Sequence, residues 1–268
     1  MRCILVIAGS DSCGGAGIQA DIKTVFSLGA HAFTAVTALT AQNSLGITAI
    51  HRIPGKFLSR QIETILGDTF PHAAKIGMLF SSANVRELAR ILKAHSIPRT
   101  VLDPVMAAST GMALLEPGAF PMLKKLLLPL VTVVTPNIEE ASRLSGRRVG
   151  SLREMEEAAR VIKDMGPNVV ITGGHLKGAC VDLLYDGREM HRFYGERIAS
   201  EHTHGSGCVF STALATFLAA HEDLRIATEM AHEFTRRAIS CGYASGKGAG
   251  AVRPIFSELR LAGSSRKG

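Results

Sequence analysis

Short, uninterrupted apolar runs alternate along this chain with longer stretches whose apolar positions recur every three or four residues. The short runs, at 3–8, 33–39, 74–79, 100–102, 131–134 and 169–171, predict strands buried on both faces. The longer stretches, at 18–28, 57–70, 85–95, 119–128 and 152–165, predict amphipathic helices with one face on a core. Strands and helices taking turns in this way predict an α/β fold, a parallel sheet covered by helices on both sides.

The rhythm changes after residue 180. Two runs, 181–185 and 189–194, flank Asp186-Gly187, a dipeptide suited to the positive φ angles of a tight hairpin, so a small antiparallel edge is expected there. Two further helices are expected at 205–220 and 226–241. With no repeat and no linker, residues 1–262 read as a single domain and 263–268 as a polar tail.

Composition narrows the function classes. Of 268 residues, 46% are hydrophobic and 20% charged, and no apolar run approaches the ~18 residues of a membrane span. The start, MRCILVIAGSDS, lacks a small-residue cleavage site and runs into a glycine-rich loop, so the chain is expected in the cytoplasm with no membrane partner. Five cysteines with no C-x-x-C pair point to neither a disulfide framework nor a zinc site. The net charge of +7 is scattered and aromatics are only 5%, which argues against nucleic acid and suits a small anion such as ATP.

Parallel sheets bind ligands beyond the carboxyl ends of their strands, so chemistry is sought just after each apolar run. Gly9-Ser10-Asp11-Ser12-Cys13-Gly14-Gly15-Ala16-Gly17 follows the first and lets backbone amides approach a ligand. Within it, 15–20 matches the dinucleotide fingerprint G-x-G-x-x-G/A. A dinucleotide site also needs an acid about 20 residues on, yet there is no Asp or Glu between Ile22 and Ile62. That disfavours a nicotinamide dehydrogenase, an NADP site relying on Arg52 staying open. No G-x-x-x-x-G-K-[ST] is present, which excludes a P-loop kinase.

Gly205-Ser206-Gly207-Cys208 opens an apolar helix, where amides and the positive helix end steady a phosphoryl group in transfer. There the helix field is expected to favour the Cys208 thiolate. The neighbouring His202 and His204 more often cap or pack than catalyse. Thr135-Pro136-Asn137-Ile138-Glu139-Glu140 and Asp103 offer oxygens suited to magnesium, although proline and acids at a helix start are also ordinary capping chemistry.

Together with Ala41-Gln42-Asn43, Lys75-Ile76-Gly77-Met78, Asp103-Pro104-Val105-Met106 and Gly173-Gly174-His175, these segments resemble the hydroxymethylpyrimidine kinase family from residue 3 to about 254. The resemblance implies a ribokinase-like three-layer sandwich, Mg-ATP as cofactor, and phosphorylation of 4-amino-5-hydroxymethyl-2-methylpyrimidine and then of its monophosphate, by a homodimer. It further implies that Gly9 and Ala16 meet the pyrimidine through their backbones beside Asp11, that Gln42 reads its polar edge, and that Met78 and Val105 pack its face. Cys208 would take the hydroxyl proton, with Gly205, Ser206 and Gly207 as the anion hole. Asp103 and Glu140 would hold magnesium or its waters, and Thr135, Asn137 and Thr172 would line the nucleotide.

Three positions depart from the family pattern. Ser206 stands where threonine is usual, His202 where asparagine is usual, and Thr172 where a phosphate-facing lysine is usual, with Lys177 five residues on as a substitute. A pyridoxine or pyridoxal kinase is the alternative within the superfamily. A non-catalytic vitamin-binding protein is the alternative outside catalysis, encouraged by Thr172 alone.

Overall fold

A computed structural model describes residues 1–254 apart from 109, 175, 177–179 and 222. Its centre is a nine-stranded sheet in the order β3-β2-β1-β4-β5-β6-β7-β8-β9. The strands are β1 Cys3–Asp11, β2 His31–Asn43, β3 Gly46–Arg52, β4 Ala73–Ile76, β5 Thr100–Leu102, β6 Val133–Val134, β7 Asn168–Ile171, β8 Cys180–Tyr185 and β9 Met190–Gly195. From β2 to β7 every neighbouring pair is parallel. Strands β8 and β9 close one end as the expected antiparallel hairpin.

Helices cover both faces: α1 Gly17–Ser27, α2 Gly55–Leu66, α3 Ser82–Ala94, α4 Ala119–Met122, α5 Ile138–Ser145, α6 Leu152–Lys163, α7 Ser206–Ala220 and α8 Leu224–Ser240. One apolar layer joins the sheet to α2, α3, α5 and α6 through Leu58, Leu88, Leu144 and Ile162. The opposite layer joins it to α7 and α8 through Phe210, Leu214, Leu218 and Ala231. Because β1 lies between both layers, Ile4 to Ile7 are fully buried, as a continuous apolar run requires. The sandwich is the three-layer α/β fold that the resemblance implies.

Two elements differ from the pattern. Strand β3 pairs antiparallel with β2 and forms a second antiparallel edge that hydrophobicity did not mark. Much of it is solvent-facing, so its sequence carries little apolar signal. It follows an Asx turn in which Asn43 Oδ1 accepts from Leu45 N and Gly46 N at 2.9 and 3.3 Å. The helix expected over 119–128 is α4 followed by a π-helical turn, Leu123–Leu127, and a 3₁₀ turn, Leu128–Leu130. Pro129 sits inside the last turn, where a missing N–H cannot extend a regular α-helix.

Candidate active site

Strand β1 is followed in sequence by β2 on one side of it and in space by β4 on the other. Ligands gather in the crevice at such a reversal of strand order. The β1–β2 register slips between Ala8 and Ser10, leaving Gly9 without a ladder partner, as a bulge does beside a site. A side chain at Gly9 would put its Cβ 2.7 Å from Met78 Sδ, so Gly9 gives Met78 its place.

Asp11 holds the following loop together. Its Oδ1 accepts from Cys13 N at 2.8 Å and its Oδ2 from Gly15 N and Ala16 N at 3.1 and 2.8 Å. His204 Nε2 lies 3.0 Å from the same Oδ2. Burial alone would raise the Asp11 carboxyl, but His204 and the Ala16 and Cys13 amides outweigh it and hold it below the usual range. Asp11 therefore ties the β1 loop to the loop before α7. The two loops touch: a Cβ on Gly205, whose φ is +86°, would lie 1.9 Å from Gly15 O. His204 thus pairs, as the bland reading of a histidine expects. The His202 ring fills space against Gly250, where an added Cβ would meet its Nδ1 at 2.1 Å.

Met78 and Val105 belong to one apolar cluster with Ala38, Ile47 and Leu114, under the end of β2. Gln42 stands beside it, its amide nitrogen 3.3 Å from His204 Nε2 and its Oε1 3.2 Å from the Thr40 hydroxyl. Gly9 thus lies against Met78, which shares an apolar cluster with Val105, while Ala16 and Gln42 are linked through Asp11 and His204: a bare backbone, an amide and an apolar wall.

Helix α7 starts at Ser206 with Gly205 as its left-handed cap, which sets Cys208 in the first turn. One turn below, Ser211 Oγ lies 3.0 Å from Asp103 Oδ2, and Thr212 Oγ1 donates to Asp21 Oδ1 at 2.6 Å. Between these two carboxylates comes Lys75 of β4, which is fully buried. Desolvation disfavours its charge, but Asp21, with Cys208 and Asp103 beyond, outweighs desolvation and lifts Lys75 above the ordinary lysine range. The expectation of a favoured Cys208 thiolate is corrected here. Burial pushes the thiol up to about 12, and Lys75 and the Gly17 N–H oppose this less than burial, Asp21 and Asp103 promote it. Cys208 keeps part of its surface at the residue level, but the loss of water around its sulfur outweighs Lys75 and the Gly17 N–H.

Asn137 caps α5 in a reciprocal box, Glu140 N to Asn137 Oδ1 and Asn137 N to Glu140 Oε2, both at 2.9 Å. Thr135 Oγ1 points back to Leu102 O at 3.4 Å. Thr172 donates its N–H to Pro136 O at 3.0 Å, so Thr135, Asn137 and Thr172 lie side by side at the ends of β6 and β7. Capping is thus a real use of Asn137 and Glu140, as sequence allows. Burial first, then Asp103, raises the Glu140 carboxyl to about 8. Lys177 and His175 lie outside the described residues.

Sequence reading missed Ser211 and Thr212 and gave Asp21 and Lys75 no role of their own. A lysine inside the apolar run 74–79 was the available signal, since an unpaired charge is not tolerated there.

Comparisons with known proteins give the family. A family model described as phosphomethylpyrimidine kinase matches residues 11–253. The chain is 44% identical over 256 residues to the thiamine biosynthesis bifunctional protein ThiED of Geobacter sulfurreducens, covering 95% of this chain but only 52% of that protein. It is 40% identical over 250 residues to a hydroxymethylpyrimidine/phosphomethylpyrimidine kinase of Streptomyces coelicolor, covering 93% of both. In structure it is similar to a Bacillus subtilis pyridoxal kinase solved with ADP, with a TM-score of 0.88, 36% identity, and coverage of 94% of this chain and 97% of that one.

Proposed function

Because the chain belongs to the phosphomethylpyrimidine kinase family and is a phosphotransferase, we propose that it moves the γ-phosphoryl group of ATP to the hydroxymethyl oxygen of 4-amino-5-hydroxymethyl-2-methylpyrimidine, and then phosphorylates the resulting monophosphate. The observation that carries this reading is that the Asp11–His204 contact joins the β1 loop to the loop before α7, with Gln42 on the same imidazole and the Met78–Val105 apolar cluster beside it. A flat aminopyrimidine fits such a place: the apolar wall takes its face, while an amide that donates and accepts takes its nitrogen edge.

On this reading Gly205 and Gly207 present backbone amides to the phosphoryl group, whose spread of negative charge is the main thing to be stabilised, while Ser206, whose N–H donates to Thr203 O at 3.1 Å, shapes the turn between them. Cys208 accepts the hydroxyl proton. Its resting form is the thiol, raised to about 12, so the step runs through the minor thiolate form, the thiol's own proton having first left to solvent. The nucleotide lies along Thr135, Asn137 and Thr172.

Asp103 and Glu140 would hold magnesium directly or through its waters. The fit is supported by their burial, which raises both carboxyls, with Asp21 adding to the rise at Asp103 and Asp103 to that at Glu140, and by the commitment of the nearby Lys75 to Asp21. Bound there, the ion would offset charge on phosphate oxygens. The enzyme would work in the cytoplasm as a homodimer, for which the edge strand β3 offers unpaired backbone; no described helix is long and apolar enough to cross a membrane.

A second reading, pyridoxal as acceptor, is favoured only by the likeness to the pyridoxal kinase. ADP release with hydroxymethylpyrimidine, its phosphate, pyridoxal and no acceptor tests the two. Release with both pyrimidines far above pyridoxal is expected; release with pyridoxal alone would replace the first reading by the second.

A further inference from the structure

Gly173, just beyond β7, is fixed from two directions. A Cβ there would stand 1.9 Å from Val181 O, so only glycine lets the loop run so close to β8. Its backbone N–H donates to Asp182 Oδ1 at 2.9 Å. The other oxygen of that carboxylate lies 2.7 Å from Nδ1 of His232, on α8. Asp182 and His232 are 8% and 3% exposed, and His232 Nε2 is buried without a hydrogen-bond partner among the described residues.

A histidine in such a place is costly as mere filling. Its Nε2 has lost water and gained nothing, whereas an apolar ring would pack beside Phe193, 6.3 Å away, at no such cost. What the imidazole does supply is one N–H, directed at the carboxylate that holds Gly173. Helix α8 is thereby joined through a single carboxylate to the strand end carrying Thr172, whose own N–H is held by Pro136 O.

We propose that His232 is a positioning residue for nucleotide binding: through Asp182 it holds the Gly173 amide, and with it the Thr172–Gly174 turn, in the shape that receives the phosphates. This rests on placing the nucleotide at the ends of β6 and β7. Without the imidazole N–H the carboxylate loses one of its two partners among the described residues and is free to turn, and the Gly173 amide loses a fixed acceptor.

The test is ADP affinity by calorimetry without acceptor, together with separate KM values for ATP and for the pyrimidine. His232→Phe keeps the ring's bulk and removes its N–H, and is expected to weaken ADP about tenfold while leaving the pyrimidine KM unchanged. Asp182→Leu should do the same or more. Asp182→Asn keeps an acceptor for Gly173 and offers an N–H that the other imidazole tautomer accepts, so it should remain within about twofold of wild type. Unchanged ADP affinity in His232→Phe, or equal losses for both ligands with no rescue in Asp182→Asn, would overturn the proposal. Thr172→Glu sets an anion at the same turn; if it leaves ADP affinity untouched, the placement of the nucleotide is wrong and the proposal falls with it.

Discussion

Lys75 Nζ donates to both carboxylate oxygens of Asp21, at 2.8 and 2.9 Å, and neither side chain is exposed. Two hydrogen bonds to one carboxylate, joined by a third from Thr212, are what let an ion pair persist without water. Removing only the cation strands a buried anion one helical turn below Cys208. Lys75→Met should therefore destabilise by roughly 3–5 kcal/mol. Lys75→Met with Asp21→Asn should recover a good part of that loss in denaturant unfolding. A double variant no more stable than the single one would show that the pair is not the source of the effect.

Cys208→Ala should lower turnover by about 10²-fold with pyrimidine binding largely kept, because general-base assistance is worth that much. The pH dependence gives the sign. The thiol is raised to about 12, so below that pH the thiolate fraction grows about tenfold per unit. Wild-type turnover should climb through the alkaline range until another step limits it, and Cys208→Ala should not show that climb. A flat wild-type profile would make Cys208 a packing residue.

Glu140 gives a stability effect of opposite direction to that of an ordinary surface carboxylate. Its carboxyl is raised from 4.5 to about 8, so the folded protein holds a proton there that the unfolded chain has released. The associated stability is complete below the unfolded value and is lost as pH rises through about 8. Melting temperature between about pH 5 and pH 9 should fall more steeply in wild type than in Glu140→Gln. Magnesium added at the alkaline end should restore wild type and leave Glu140→Gln unmoved. Parallel curves for the two proteins would remove Glu140 from the ion's site.

Thr172 carries no cation where the family resemblance implies one, and Arg197, which reaches the same turn, donates to Gly174 O and Leu176 O. Its guanidinium is occupied in holding the loop. Thr172→Lys should accordingly improve use of Mg-ATP by about 5–150-fold, the value of one well-placed charged hydrogen bond. A variant slower than wild type at every ATP concentration would show that the site is already complete.

Much of this was legible in the sequence. Apolar runs gave the parallel strands because burial on both faces leaves no polar alternation, and Asp186-Gly187 gave the hairpin β8–β9 through its turn chemistry. Of the four loops singled out, those at Gly9, Asp103 and Thr135 lie at the ends of β1, β5 and β6, and Gly205 caps α7. Strand β3 was not legible, since an edge strand needs few apolar residues. The Lys75–Asp21–Thr212 contact joins residues 54 and 191 positions apart from Asp21, and local patterning does not report pairings at such separation. Nor does a helix start reveal that burial, Asp21 and Asp103 together raise the Cys208 thiol.

The most direct measurement is product identity: the enzyme, γ-labelled ATP and 4-amino-5-hydroxymethyl-2-methylpyrimidine in one reaction, with products separated over time. The expected result is label first in the monophosphate ester and then in a diphosphate formed from it, both falling away in Cys208→Ala and without magnesium. Label appearing only in inorganic phosphate, or no ester forming while pyridoxal is phosphorylated under the same conditions, would contradict the assignment.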